Sequence, residues 1–155
     1  LVVLSTPAHE ELIEIGKGCV TKPTVRHYQG FARGRRKRLA EPDPTVKHLL
    51  YAYRVLLSGI HLMQTGGVVT NIQVLNDRFR FTEIDELGAR KRAGAEKMGL
   101  DERDLDQHGG LLDRLEAKLQ EPHDSSQLPD EPTSAVALQD FVVRLRLDAA
   151  RSEGA

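Results

Sequence analysis

The chain has a single cysteine, Cys19, among its 155 residues, which excludes an internal disulfide framework and any cysteine-rich zinc site. Long apolar runs are absent too. The longest, Leu49 to Met63, is broken by Arg54 and His61, whereas a helix that spans a bilayer needs about 20 apolar residues. No secretory signal pattern opens the sequence. Its first residue is Leu1 instead of Met, as in a fragment or a processed product, and the expectation is that something upstream is missing. A cytoplasmic protein with no membrane partner is expected. Six histidines (His9, His27, His48, His61, His108 and His123) are scattered, none in an HExxH or Cys-His pattern, so a zinc site is not expected. A glycine-rich phosphate loop of the Walker type is also missing.

Negative charge is missing locally, and there the absence is informative. The net charge is −1, but between Lys22 and Arg38 stand seven basic residues and no acid, against 15 basic and 23 acidic residues elsewhere. From Val46 to Leu75 there is again no acid. A basic segment on an acidic body is either a solvated face or a place where a polyanion is attracted. With 39% hydrophobic and 29% charged residues, the chain is an ordinary globular one, long enough for one domain with a core.

What is present reads as helix. Thr6, Pro7, Glu10 and Glu11 form an N-cap, a proline at the first position and acids in the first turn, with Gly16 and Gly18 as the stop. A second helix is expected over Thr24 to Arg38, weakened by Gly30 and Gly34, which each cost about 1 kcal/mol relative to Ala. Asp43 and Pro44 are expected to start the third helix, which runs from Thr45 to Gln64. There Val46, Leu49, Leu50, Tyr53, Leu56, Leu57, Ile60 and Met63 recur at three and four residues, the spacing of one buried face, before Gly66-Gly67 ends it. Thr70 or Asn71 then caps one more turn through Leu75. Thr82 with Asp85 resembles a capping box for a polar helix to about Met98. Asp101 starts another, which the Gly109-Gly110 pair bends or interrupts. Residues 121–133 read as a loop, followed by an amphipathic helix through Leu147. The sum is an all-α bundle of five or six helices, with residues 1–150 as a single domain and 151–155 frayed.

Chemistry is expected where the cations lie. Lys47, Tyr51, Arg54, Ser58 and His61 are spaced four, three, four and three apart and fall within about 80° of arc on a helix. An acid-free ribbon of this kind suits phosphate or another anion, Arg and Lys supplying charged donors and Tyr and Ser neutral ones; the other reading is a packed or solvated face. On the second helix, Arg26, Gly30, Arg33 and Lys37 share one side and Tyr28, Phe31 and Arg35 the other. Cations interleaved with aromatics can neutralise phosphates and stack on bases, or the aromatics are core and the arginines snorkel. Arg54 and His61, and Arg103 and His108, also stand at spacings used by helical ribonucleases with an Arg and a His on one helix.

The strings HYQGFARGRRKRL (His27 to Leu39), KHLLYAYRVLLSGIHLMQTG (Lys47 to Gly66), ARKRAGAEKMG (Ala89 to Gly99) and SQLPDEPTSAVALQDFVVRLRL (Ser126 to Leu147) together resemble the C-terminal helical half of a bacterial family of nucleotidyltransferases. These belong to the DNA polymerase beta-like superfamily, with relatives associated with RNA repair. The resemblance implies transfer of a nucleoside monophosphate from a nucleoside triphosphate to a hydroxyl, on RNA or another acceptor, with two Mg2+ ions held by carboxylates. In the superfamily those carboxylates follow a Gly-Ser turn as an Asp-x-Asp pair. No Gly-Ser dipeptide occurs in this chain. Its acid-x-acid pairs, Glu41 with Asp43, Glu83 with Asp85, and Asp104 with Glu102 or Asp106, fall in turns or at helix starts, so no catalytic or metal residue is assigned. By the resemblance the chain is the helical, nucleotide-holding part, silent without an N-terminal catalytic domain. Lys47, Arg54 and Tyr28 match recurrent family positions, and Tyr51, Ser58, His61 and Arg33 complete the expected nucleotide and phosphate contacts. Two alternatives stand beside it, a helical ribonuclease and a non-catalytic polyanion-binding module.

Overall fold

The structure is a computed structural model in which residues 4–94, 99–121 and 126–153 are described. These residues form seven helices and no strand: α1 (Pro7–Lys17), α2 (Thr24–Leu39), α3 (Val46–Thr65), α4 (Ile72–Phe79), α5 (Thr82–Arg92), α6 (Glu102–Gln120) and α7 (Ala135–Glu153). The all-α expectation holds. The extra helix is α4, where the sequence indicated a single turn. Two compact units emerge, Leu1–Lys22 with Leu128–Ala155, and Pro23–Gln127.

In the first unit α1 packs against α7. Thr6 caps α1 by accepting from the His9 amide at 3.2 Å, and Pro7 occupies the first turn. Arg144 of α7 reaches Glu11 of α1 through both terminal nitrogens. Gly18 is required where the segment after α1 meets the one before α7, because an added Cβ would lie 2.8 Å from the Ser134 and Thr133 side chains. Helix α7 continues through Arg151 to Glu153, where fraying was expected.

The second unit is built around α3, which contacts α2, α4, α5 and α6. Its apolar stripe is buried as the spacing requires, from Val46 and Leu49 to Ile60 and Met63. The helix starts one position later than the sequence indicated. Asp43 adopts a left-handed φ of 56°, a turn conformation that Asp tolerates but an N-cap does not use. Thr45 takes the cap instead, in a reciprocal box in which its own amide donates to His48 Nδ1 at 3.0 Å. Gly66, with φ 72°, closes the other end. Helix α6 runs unbroken through Gly109-Gly110 because Leu111, Leu112, Leu115 and Leu119 bury a continuous line, and that packing outweighs the glycine penalty. Helix α5 starts without a side-chain cap from Thr82 and ends at Arg92; residues 95–98 of the expected helix, and 122–125 of the expected loop, lie outside the described residues.

Helices α2, α3 and α6 meet at Gly59, where an added Cβ would come within 2.8 Å of Leu119 Cδ1 and of Tyr28 Cγ. One polar pair is buried between α3 and α6: the Tyr53 hydroxyl lies 2.7 Å from His108 Nδ1. Burial is the main force lowering the His108 pKa, with Asp104 and Glu83 opposing it. Burial likewise raises that of Tyr53.

Two outcomes are expected. Gly59→Ala lowers stability by about 1–3 kcal/mol through overpacking, whereas Gly30→Ala, where a Cβ meets nothing within 4 Å, raises it by about 0.5–1 kcal/mol; urea unfolding distinguishes the two signs. Because the folded His108 resists protonation, the unfolded chain binds more protons once pH drops below about 6.5. Stability is therefore complete above that pH and falls as pH is lowered toward the folded pKa. His48 and His61, also lowered by burial, add to the slope. His108→Gln makes the curve of unfolding free energy against pH shallower below about pH 6.5, and an unchanged slope would contradict the assignment.

Candidate functional site

The sides of α3 not used for the core are mostly covered by neighbouring helices, but its N-terminal half borders an opening. There a cleft of about 450 Å3 lies between α3, α4 and α5. Lys47, Leu50, Tyr51 and Arg54 line it from α3, Asn71, Ile72, Gln73 and Asn76 from the start of α4, and Ile84, Asp85, Gly88, Lys91 and Arg92 from α5. Apolar Leu50, Ile72 and Ile84 thus share the lining with four cations and a single acid. The Arg54 guanidinium lies over the Tyr51 ring, 4.3 Å from its centroid, a cation–π contact that holds both side chains at the mouth. Neither Lys47 nor Arg54 has an acidic partner among the described residues.

Two polar devices hold the wall opposite α3. Asn76, buried in α4, accepts from the Phe81 amide at 2.9 Å and donates to the Phe81 carbonyl at 3.0 Å and to Asp85 Oδ1 at 2.9 Å. It therefore does from outside what a capping side chain of α5 would have done, and it fixes the one carboxylate of the cleft. Arg90 forms a forked pair with Asp104 at 2.9 and 3.1 Å, tying α5 to α6 and holding the Asp104 carboxyl below its ordinary range.

Of the seven contacts expected from the sequence, three converge: Lys47, Tyr51 and Arg54. The ribbon does not continue beyond them. Ser58 is 3% exposed, and His61 is half-buried with its Nδ1 enclosed and without a hydrogen-bond partner among the described residues. A helix with four neighbours exposes a narrower arc than its polar residues span. Tyr28 is wedged against Gly59, where burial raises its hydroxyl pKa, and Arg33 lines a separate cavity of about 180 Å3 beside Glu116. Asn71, Gln73, Asn76, Asp85, Lys91 and Arg92 were not anticipated. Lys91 and Arg92 stand within the Ala89 to Gly99 string, but no spacing ties α5 to α3 before the helices are packed.

His108, 4% exposed and bonded to Tyr53, has no route to an RNA substrate, and His61 does not line the cleft that holds Arg54. One acid of each pair is similarly occupied, Glu41 by Arg38, Asp85 by Asn76 and Asp104 by Arg90. Among the described residues no group of three or more His, Cys, Asp or Glu side chains is placed to hold a metal ion. They therefore do not fit the Mg2+ pair that the resemblance implies. No helix among them is long and apolar enough to cross a membrane.

Fold and cleft together define an all-helical protein with a cationic cavity built on its most buried helix. The family model described as the RNA repair pathway DNA polymerase beta family matches residues 2–144, and the chain belongs to that family. No curated protein and no solved structure matches it.

Asn76→Ala leaves the Phe81 amide and carbonyl and the Asp85 carboxylate without their partner, and a loss of about 1–3 kcal/mol is expected. Amide hydrogen exchange at Phe81 should accelerate in that variant ahead of the α3 amides; uniform acceleration would mean that Asn76 supports the whole unit and not the α4–α5 wall.

Proposed function

We propose that this chain is the helical, nucleotide-holding part of a nucleotidyltransferase, and that the α3–α5 cleft receives the phosphates of a nucleoside triphosphate. The observation that carries the reading is the convergence of Lys47, Tyr51 and Arg54 with Lys91 and Arg92 on one cavity. Four cations against one acid, set partly among apolar side chains, attract a polyanion and strengthen each charge-assisted hydrogen bond to it. Arg54 offers a fork of donors to phosphate oxygens, Lys47 a mobile point charge, and Tyr51 a neutral hydroxyl.

Family membership supports the transfer of a nucleoside monophosphate to a hydroxyl acceptor, RNA among the candidates. Such a displacement needs carboxylates to hold its metal ions, and the described residues do not group them. In this reading a catalytic sheet domain supplies them, and the chain by itself binds without turnover. Titration calorimetry with ATP tests the proposal. Arg54→Ala is expected to weaken binding roughly tenfold or more, the effect of losing a hydrogen bond to a charged group, with the melting temperature little changed. Equal affinity in that folded variant removes Arg54 from the site, and absence of triphosphate binding by the unaltered chain overturns the proposal.

A further inference from the structure

The outer face of α2 is a second place where cations gather, distinct from the cleft. Seven residues of this helix are exposed: Arg26, His27, Gly30, Phe31, Arg33, Gly34 and Lys37. At 100° per residue they sort into three parallel rows. Arg26, Arg33 and Lys37 fall within about 40° of each other, Gly30 and Gly34 come next, and His27 with Phe31 form the far row at about 100–140° from Arg26. No acid stands on α2 itself; Glu116 of α6, which borders the Arg33 side, is paired with Arg36. Arg36 is engaged with Asp113 and Glu116 of α6 and Arg38 with Glu41, Arg35 is half-buried away from this face, and Arg26, Arg33 and Lys37 have no ion-pair partner among the described residues.

Two features of this face have no explanation within the fold. Phe31 is 46% exposed, its ring meeting only the edge of His27 at 4.4 Å between centroids among the aromatic contacts that involve it. Gly30 and Gly34 lower the stability of the helix, yet a Cβ at either meets nothing within 4 Å. Helical glycines in open space leave the backbone approachable by something outside the helix.

We infer that this face binds single-stranded nucleic acid, with phosphates along the Arg26, Arg33 and Lys37 row, the strand lying over Gly30 and Gly34, and a base stacked on Phe31. The pairing of cations with an aromatic platform is the chemistry of sequence-tolerant single-strand binding. The Gly30 to Gly34 spacing would equally let a second helix approach. A second copy of this chain, however, would bring the same three cations against their own kind, and the exposed aromatic row has its complement in a base. The site is independent of the triphosphate cleft.

Fluorescence anisotropy with short labelled oligouridylate and its deoxy counterpart tests the inference on the 155-residue chain. Binding should weaken as salt rises, and Lys37→Ala should reduce the slope of log affinity against log salt by about 0.7, the value for one phosphate contact on a single strand. Phe31→Ala should weaken binding roughly tenfold, within the range for loss of one stacked base. Gly30→Leu, which favours the helix, should give a more stable protein that binds less well. Saturating ATP should leave the oligonucleotide bound. Any one of four results overturns the inference: no binding by the unaltered chain; binding unaffected by Phe31→Ala and Gly30→Leu; displacement by ATP, which would put the strand in the cleft; or self-association lost in Gly30→Leu without oligonucleotide binding, which would make the face a protein contact. Stronger binding of the uridylate than of the deoxy strand would assign RNA as the ligand, and equal binding would assign single strands of either kind.

Discussion

Helix α3 is enclosed by four other helices, and that enclosure governs the rest of the second unit. Burying a face about 20 residues long removes enough apolar surface to dominate the local energetics, at roughly 25 cal/mol for each Å2 taken from water. It also dictates how near each neighbour stands. Gly59 lets the side chains of Tyr28 and Leu119 come to distances that any Cβ would forbid, so α2 and α6 close on α3 at that level. Tyr53, in the same helix, can be fully buried only because His108 of α6 meets its hydroxyl; a hydroxyl left without a partner there would cost several times what a paired one gains.

The cleft follows from where this enclosure is incomplete. Helices α4 and α5 are joined by a short turn that Asn76 ties together, and α5 is tied to α6 by Arg90 and Asp104. With both ends of α5 tied in this way and Leu75, Ile84 and Leu87 buried, the wall facing Lys47, Tyr51 and Arg54 is held by hydrogen bonds as well as by apolar packing. A mostly apolar lining with a few fixed polar groups is the usual make-up of a ligand cleft, which suits the proposed phosphate site. The Asp85 carboxylate is positioned within the cationic cavity by Asn76.

Much of the fold was legible because α3 has an unambiguous period. Its apolar positions, its Gly66 stop, the Thr6-Pro7 start of α1 and the Asp101 start of α6 are local signals, and local signals survive packing. The misreadings arose where tertiary contact overrode a local preference: Gly109-Gly110 stays helical under a line of buried leucines, and Thr82 loses its capping role to Asn76, a residue from another helix. The candidate site was half legible for the same reason. Lys47, Tyr51 and Arg54 lie on one helix, where angle follows from spacing, so their alignment could be computed from sequence. Lys91 and Arg92 come to the same cavity only through the α4–α5 turn, and no periodicity encodes that. Ser58 and His61 illustrate the opposite error, since arc alone does not reveal which neighbours will cover it.

The charge distribution makes sense once cations are sorted by what faces them. A chain with net charge −1 has acids enough to neutralise its bases, and on the inner side of α2 it does so, with Asp113 and Glu116 placed on α6 opposite Arg36. The outer row of α2 and the α3 wall of the cleft are treated differently: acids are absent from both the Lys22 to Arg38 and the Val46 to Leu75 segments, and the acids brought in by neighbouring helices pair with other residues. Like charges gathered without counter-charges repel one another and lower stability. Such repulsion is retained at the outer row of α2 and at the α3 wall while being relieved on the inner side of α2, which supports the two proposals that anions from outside the chain meet the unrelieved cations.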